Sequence, residues 1–111
     1  MTLLTTPFNF LFYLRSKFKT MDVLAALKNG TATIVDVRSR EEFQSGHVAG
    51  SINIPLQEVP TKVEEFKNMP KPLVLCCLSG GRSGQATGYL QQQGVEEVYN
   101  GGGWMEVKSL V

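Results

Sequence analysis

The sequence predicts an α/β domain built on a parallel sheet with helices on both faces. Short runs rich in Val and Ile alternate along the chain with segments whose apolar residues recur at helical spacing. Strands that alternate with helices pair in parallel, because each helix carries the chain back across one face of the sheet. The length points to a single domain, since 111 residues hold one hydrophobic core.

Four short apolar runs have the length and composition of strands buried in a sheet. They span residues 32–37, 51–54, 73–77 and 95–99. The third run, LVLCC, is the most hydrophobic, so we expect it to be the most buried strand. Pro55 ends the second run, because proline donates no hydrogen bond to a strand ladder, and Ser79-Gly80-Gly81 interrupts the chain after the third.

The intervening segments are predicted to be helical, most of them from apolar residues three or four positions apart. They span residues 21–28, 41–45, 56–68, 82–93 and 104–110. Pro60 is expected to split the third of these, because its ring disrupts a helix interior. Gly94 is expected to end the fourth, and Asn100-Gly101-Gly102-Gly103 predicts a turn.

Charge and cysteine content exclude several classes of function. A net charge of +1 argues against a protein that tracks the phosphates of a nucleic acid. The two cysteines, Cys76 and Cys77, are adjacent and cannot cross-link a secreted scaffold, which favours a reducing compartment. With a single histidine, they also cannot supply a tetrahedral metal site.

Residues 1–17 are expected to form a flexible or surface-docked extension to a domain at residues 18–111. The apolar run Phe8–Leu14 is far shorter than the roughly 20 residues of a membrane span. Basic residues follow this run, whereas a secretory signal carries its positive charge before the apolar part. We therefore expect a cytoplasmic protein without a transmembrane segment. An interfacial anchor or a partner-binding segment is the alternative for these residues.

Residues Cys77 to Ser83, CLSGGRS, are the segment most suited to chemistry. Cys77 ends a buried strand and precedes a helix, whose unpaired N–H groups and positive dipole end favour a thiolate. Gly80 and Gly81 allow the backbone to curl into an anion-binding nest, and Arg82 is expected to add a positive charge near its rim. The arrangement predicts attack by Cys77 on an anionic, electrophilic sulfur or phosphorus.

These residues, with others upstream, resemble the single-domain rhodaneses, a family of sulfurtransferases. The resemblance covers residues 21–104. The matching segments are Asp36-Val37-Arg38, Glu42-Phe43, residues 46–55 (GHVAGSINIP), Cys77–Ser83 and the glycine turn Tyr99–Gly103. The resemblance implies a five-stranded parallel sheet and a sulfur atom carried as a covalent persulfide on Cys77, with no further cofactor.

The resemblance also implies substrates and residue roles. The sulfur would come from a small anionic donor such as thiosulfate, or from a persulfide, and pass to a thiol or cyanide; protein donors or acceptors are also compatible with it. The residues implied to bind the substrate around the persulfide are Leu78, Ser79, Gly80, Gly81 and Arg82. Those implied to support the site structurally are Asp36, Arg38 and His47.

One departure from the family bears on the donor. Many relatives carry arginine directly after the catalytic cysteine, and this chain has Leu78 there. The loss of one positive charge predicts weak binding of thiosulfate and favours a persulfide donor.

Two other functions remain as alternatives. The domain could be a non-enzymatic persulfide carrier or a protein-interaction module. The spacing of Cys76 and Arg82 also matches the C-x5-R loop of cysteine phosphatases. Ser79 stands where such loops carry glycine, and neither of the two aspartates lies on a separate acid-bearing loop, so the phosphatase reading is disfavoured.

Overall fold

The computed structural model describes residues 21–111. Its elements in chain order are α1 (residues 21–29), β1 (Thr33–Asp36), α2 (Arg40–Ser45), β2 (Ile52–Asn53), a 3₁₀ helix (Leu56–Lys62), α3 (Val63–Asn68), β3 (Leu73–Cys77), α4 (Gly81–Gln92), β4 (Val98–Gly103) and α5 (Trp104–Leu110). The extension proposed at residues 1–17 lies outside the described residues. Over residues 21–111, every helix is too short or too polar to cross a membrane.

The strands form one parallel sheet in the order β2-β1-β3-β4. This confirms the α/β class and the parallel pairing. The described part of the chain contributes four strands to the sheet, where the family resemblance implied five. β3 lies between β1 and β4 and is fully buried along its length, as its composition predicts.

The last strand begins and ends later than the sequence predicts. A strand was expected at residues 95–99, followed by a turn, but β4 runs from Val98 to Gly103. Glu97 has a φ of 53°, a left-handed conformation that delays the start of the strand. Gly102 and Gly103, expected in the turn, instead pair with the end of β3, after a register shift between Leu75 and Cys76 that passes over Gly101.

A glycine is required at position 101 by close packing. A Cβ atom there would lie 2.7 Å from Cγ1 of Val74 and 2.9 Å from Cγ2 of Val107. The backbone of β4 therefore approaches the middle of the sheet and α5 more closely than any larger residue allows.

The predicted break at Pro60 is confirmed. The chain forms the 3₁₀ helix before and around this proline, and a regular α-helix, α3, begins only at Val63. Val59 and Phe66 are buried and attach the two segments to the core.

Two clusters of buried residues cover the two faces of the sheet. On the face of α4 the cluster contains Val35, Val37, Ile54, Val59, Phe66, Leu73, Leu75, Cys77, Ala86, Leu90, Val95 and Val98. On the face of α1 and α5 it contains Leu27, Val48, Val74, Cys76 and Val107. Because side chains alternate along a strand, the adjacent cysteines of β3 belong to different clusters.

Glycine-to-alanine substitutions at two positions should change stability in opposite directions. Gly101→Ala should lower the free energy of unfolding by about 1–3 kcal/mol, because the new methyl group overpacks the sheet. Gly88→Ala, in the interior of α4 where the added Cβ meets nothing within 4 Å beyond its own stretch of helix backbone, should raise it by up to about 1 kcal/mol. Urea denaturation measures both values. Equal effects of the two substitutions would contradict the close approach at Gly101.

Candidate active site

Cys77 lies at the carboxyl end of β3, where the parallel sheet meets the first turn of α4. Ligands of such sheets bind at this edge. The residue is only 1% exposed and packs on the α4 face of the sheet. Cys76 lies on the opposite face, so only Cys77 is directed at the loop that follows.

Backbone N–H groups surround the sulfur of Cys77. The N–H of Gly80 donates to Sγ at 3.0 Å, and the N–H of Ser83 donates at 3.4 Å. Gly80 has a φ of 103°, a conformation that glycine adopts without strain and that turns its N–H toward the sulfur. The loop and the start of α4 thus form the amide cradle that the sequence predicts.

The cradle lowers the pKa of the Cys77 thiol. Burial alone raises this pKa, but hydrogen bonds from the side chain and N–H of Ser83 and from the N–H groups of Gly80 and Ser79 lower it to about 7. The thiolate of Cys77 is therefore far more accessible at neutral pH than that of an ordinary cysteine.

Cys76 has the opposite electrostatics. Burial, and after it the neighbouring carboxylate of Asp36, raise the pKa of its thiol to about 12. A protonated thiol on the other face of the sheet is not a nucleophile for the loop. The C-x5-R phosphatase register therefore begins at a cysteine whose raised pKa and position on the opposite face both disfavour attack.

Asn100, on β4, connects the cradle to the glycine strand. Its Oδ1 accepts hydrogen bonds from the hydroxyl of Ser83 at 2.7 Å and from the N–H of Gly102 at 3.0 Å. Its Nδ2 donates to the carbonyl of Gly80 at 3.1 Å. Since Oγ of Ser83 also lies 3.4 Å from Sγ of Cys77, Asn100 and the sulfur compete for a single hydroxyl proton.

Arg82 does not present the uncompensated charge that the sequence suggested. Its guanidinium forms a two-point ion pair with Glu42, with N···O distances of 2.7 and 3.1 Å. The hydrogen bond from Arg82 and one from the N–H of Ser39 lower the pKa of Glu42 to about 2. The carboxylate is therefore charged at neutral pH and neutralises the guanidinium of Arg82.

The side chains of Leu78 and Ser79 do not contact the sulfur of Cys77. Leu78 is 63% exposed and Ser79 is also exposed, so their side chains face solvent. A Cβ atom at Gly103 would lie 2.8 Å from the carbonyl oxygen of Leu78, so β4 packs directly against the loop.

Asp36 and Arg38 form a buried ion pair beside the site. Nε and a terminal nitrogen of Arg38 donate to the carboxylate of Asp36 at 2.7–3.0 Å. The same guanidinium donates to the carbonyl of Gly46 at 2.7 Å and lies 4.7 Å from the ring centroid of Trp104. The pair ties β1 to the loop after α2 and to the start of α5.

His47 is directed toward α2. Its Nδ1 lies 2.7 Å from the carbonyl oxygen of Phe43, and its ring stacks on the Phe43 ring with centroids 3.7 Å apart. Within residues 21–111, no three His, Cys, Asp or Glu side chains are grouped so that they could hold a metal ion.

The sequence alone did not predict the contacts that three residues make in the site, namely Glu42, Ser83 and Asn100. Glu42 carries a local signal, because Ser39-x-x-Glu42 forms the capping box of α2. Ser83 belongs to the CLSGGRS segment, but nothing in the segment shows that its hydroxyl lies between two acceptors. Asn100 has no sequence signal beyond its place before the glycines, because its contacts depend on how β4 pairs with β3.

The fold and the site define a parallel α/β protein with a reactive cysteine cradled at the start of a helix. The sequence model of the family described as "Rhodanese-like domain" matches residues 20–110. The chain belongs to this family.

Named relatives and solved structures agree with this assignment. The chain is 39% identical over 69 residues to the uncharacterized protein YqhL of Bacillus subtilis, covering 62% of this chain and 54% of that relative. It is 34% identical over 82 residues to the thiosulfate sulfurtransferase GlpE of Stutzerimonas stutzeri, covering 74% of each chain. A solved structure of a rhodanese with anions from E. coli is 37% identical, with a TM-score of 0.61 over 68% of this chain and 89% of that one.

Substitutions of Ser83 and Asn100 should move the pKa of Cys77 in opposite directions. Ser83→Ala removes a hydrogen bond to the sulfur and should raise the pKa, slowing alkylation by iodoacetamide at pH 7 by about threefold or more. Asn100→Ala removes the oxygen that competes with the sulfur for the Ser83 hydroxyl proton. The hydrogen bond to the sulfur should then strengthen and lower the pKa of Cys77.

The measurement is the alkylation rate as a function of pH in a Cys76→Ser background. If the pKa of Cys77 shifted in the same direction in both variants, Asn100 would act mainly by holding Gly80 in place and not by competing for the Ser83 hydroxyl proton.

Proposed function

We propose that this protein is a sulfurtransferase that carries a sulfane sulfur as a persulfide on Cys77. The observation that carries the proposal is the set of N–H hydrogen bonds to Sγ, which favour a thiolate at neutral pH. The relative named thiosulfate sulfurtransferase supports the reaction class. Both cysteines are free thiols, which is consistent with work in the cytoplasm.

In the loading step, the thiolate of Cys77 attacks the terminal sulfur of the donor. A sulfur–sulfur bond forms as the donor's own sulfur–sulfur bond breaks. With thiosulfate, sulfite leaves with the bonding electron pair and needs no proton. The N–H groups of Gly80 and Ser83 hold Sγ of Cys77 as the thiolate that makes this attack.

In the transfer step, an acceptor attacks the terminal sulfur of the Cys77 persulfide. A thiolate acceptor becomes a persulfide and cyanide becomes thiocyanate, while the electrons of the broken bond return to Cys77. The same N–H groups that stabilised the thiolate before loading stabilise it again as the leaving group. One cradle therefore serves both steps.

The charge pattern favours a persulfide over thiosulfate as the donor. Arg82 is neutralised by Glu42, and Leu78 offers no charge at the position where many relatives carry arginine. The cradle meets a thiosulfate dianion with backbone dipoles alone. A persulfide carries at most one negative charge at its reacting sulfur. Its binding is therefore weakened less than that of thiosulfate when no positively charged side chain is available.

A persulfide carrier that serves a protein partner is the second candidate. The exposed side chain of Leu78, adjacent to the reactive cysteine, favours it because an apolar group at that place suits contact with another protein surface. Multiple turnovers with small donors and acceptors would favour the enzyme, and a single transfer per load would favour the carrier.

The two cysteines should differ completely in sulfur loading. Incubation with thiosulfate or an organic persulfide should add about 32 Da, one sulfur atom, to the intact protein. Cys77→Ser should abolish this gain, since a serine hydroxyl is not ionised without a nearby base. Cys76→Ser is the matched control and should keep the activity within a few-fold, with some loss of stability from a buried hydroxyl. Sulfur gain by the Cys77→Ser variant would refute the proposed nucleophile.

Removal of the Glu42 charge should improve the use of thiosulfate. In Glu42→Gln, Arg82 regains an uncompensated positive charge near the cradle, and the KM for thiosulfate should fall by about three- to tenfold. Glu41→Gln removes the same charge from the neighbouring exposed position and should change KM by less than about twofold. Steady-state kinetics with cyanide as acceptor tests this. An unchanged or higher KM in Glu42→Gln would contradict the neutralising role of the ion pair.

A further inference from the structure

An apolar groove lies on the face of the sheet opposite the amide cradle. It is bounded by α1 and α5 and has a volume of about 240 Å³. Its lining residues include Leu24 and Leu27 of α1, Val107 and Leu110 of α5, and Val74 of β3. Leu27, Val74 and Val107 are buried, whereas Leu24 is 39% exposed and Leu110 is 36% exposed. The groove therefore joins the core on this face to apolar side chains that face solvent, a feature typical of interaction sites.

The groove has room for one aromatic side chain. An apolar cavity of about 150 Å³ holds a benzene ring, so this groove accommodates a phenyl ring with space for a neighbouring aliphatic group. Residues 1–20 lie outside the described residues, and they contain the apolar run Phe8–Leu14, FNFLFYL. Phe8, Phe10 and Phe12 are two positions apart, a spacing that places side chains on one side of an extended backbone.

The connection to α1 places this run within reach of the groove. Six residues, 15–20, separate Leu14 from the start of α1. Fully extended, they span up to about 20 Å. Leu27 is the last residue of α1 that lines the groove, and it lies only about 9 Å along the helix axis from the start of α1. A segment on so short a connection has an effective concentration in roughly the millimolar range, which favours it over a second copy of the chain.

Acidic side chains border the groove where α1 begins. Asp22 and Glu97 line a smaller pocket together with Val23 and Tyr99, and Val23 and Tyr99 also line the groove. Within residues 21–111, neither carboxylate takes part in a salt bridge. Burial, and after it the charges of Glu97 and Asp22, raise the pKa of Tyr99, as expected for two carboxylates near its hydroxyl. This border of the groove therefore suits a cationic segment.

The residues that join the apolar run to α1 carry the matching charge. The first 20 residues contain three charged side chains, all of them basic: Arg15, Lys17 and Lys19. These side chains fall between the run that would fill the groove and the helix that carries Asp22. The order along the chain, apolar and then basic, thus matches the order on the surface, an apolar groove followed by an acidic border at the start of α1.

We propose that residues 8–14 dock in this groove of the same chain, with their aromatic side chains between α1 and α5 and with the basic residues 15–19 along Asp22 and Glu97. The docked segment covers the exposed side chains of Leu24 and Leu110. The groove lies on the opposite face of the sheet from Cys77, so this inference does not depend on the proposed sulfur transfer.

Photocrosslinking in the full chain tests the docking directly. With Phe10 replaced by p-benzoylphenylalanine, irradiation should link position 10 to α1 or α5 within one chain, at a yield that does not change with protein concentration. Leu110→Glu places a charge in the groove and should lower the yield by about threefold or more. Met105→Glu, at an exposed position of α5 outside the groove lining, is the matched control and should leave the yield unchanged.

Three results of this experiment would overturn the proposal. Links between two chains, with a yield that rises with concentration, would show that a second copy fills the groove. Links only to other parts of the chain, or no links, would show that the run does not dock there. A yield that Leu110→Glu leaves unchanged would show that the link forms without the groove.

A double-mutant cycle measures the same contact through stability. In the full chain with Phe8→Ala, Phe10→Ala and Phe12→Ala, Leu110→Ala should cost less stability than in the unmodified chain, because the contact with the run is already absent. Met105→Ala should have the same effect in both backgrounds. Urea denaturation gives the free energies of unfolding. If the effects of Leu110→Ala and the phenylalanine substitutions simply add, the run does not contact the groove.

Discussion

The hydrogen bonds from the start of α4 to the sulfur of Cys77 are the interaction on which the site depends. They exist because β3 ends with Cys77 directed to the α4 face and because Gly80 turns the chain in a left-handed conformation. A shift of one residue in the register of β3 would bring Cys76 to that face instead. The pairing of β3 with β1 on one side and with β4 on the other holds this register.

The charges around the site are arranged so that the cradle acts through dipoles. Arg38 is bound to Asp36, and Arg82 is bound to Glu42. Both ion pairs hold elements in place, the first inside the protein and the second at the mouth of the site. The thiolate is then stabilised by N–H groups at short range, an interaction that salt screens far less than an exposed charge at a distance.

The sequence predicts the fold class, the position of β3, the break at Pro60 and the cradle after Cys77, because each depends on local pattern. Prediction from the sequence fails where the structure depends on contacts between residues that are distant in the chain. The glycines at 101–103 look like a turn, but they form a strand because the backbone fits closely against Val74. Arg82 looks like an anion-binding charge, but its partner Glu42 lies 40 residues earlier in the chain. Asn100 enters the site only once β4 is paired.

The cradle should hold Cys77 as a thiolate near neutral pH. Thiolate absorbance at about 240 nm, followed against pH in the Cys76→Ser variant, measures this directly. Because the pKa of Cys77 is lowered, the thiolate is lost as pH falls through the folded value, and we expect a midpoint at about pH 7. A midpoint near the ordinary value of 9.0 would show that the N–H groups do not stabilise the sulfur.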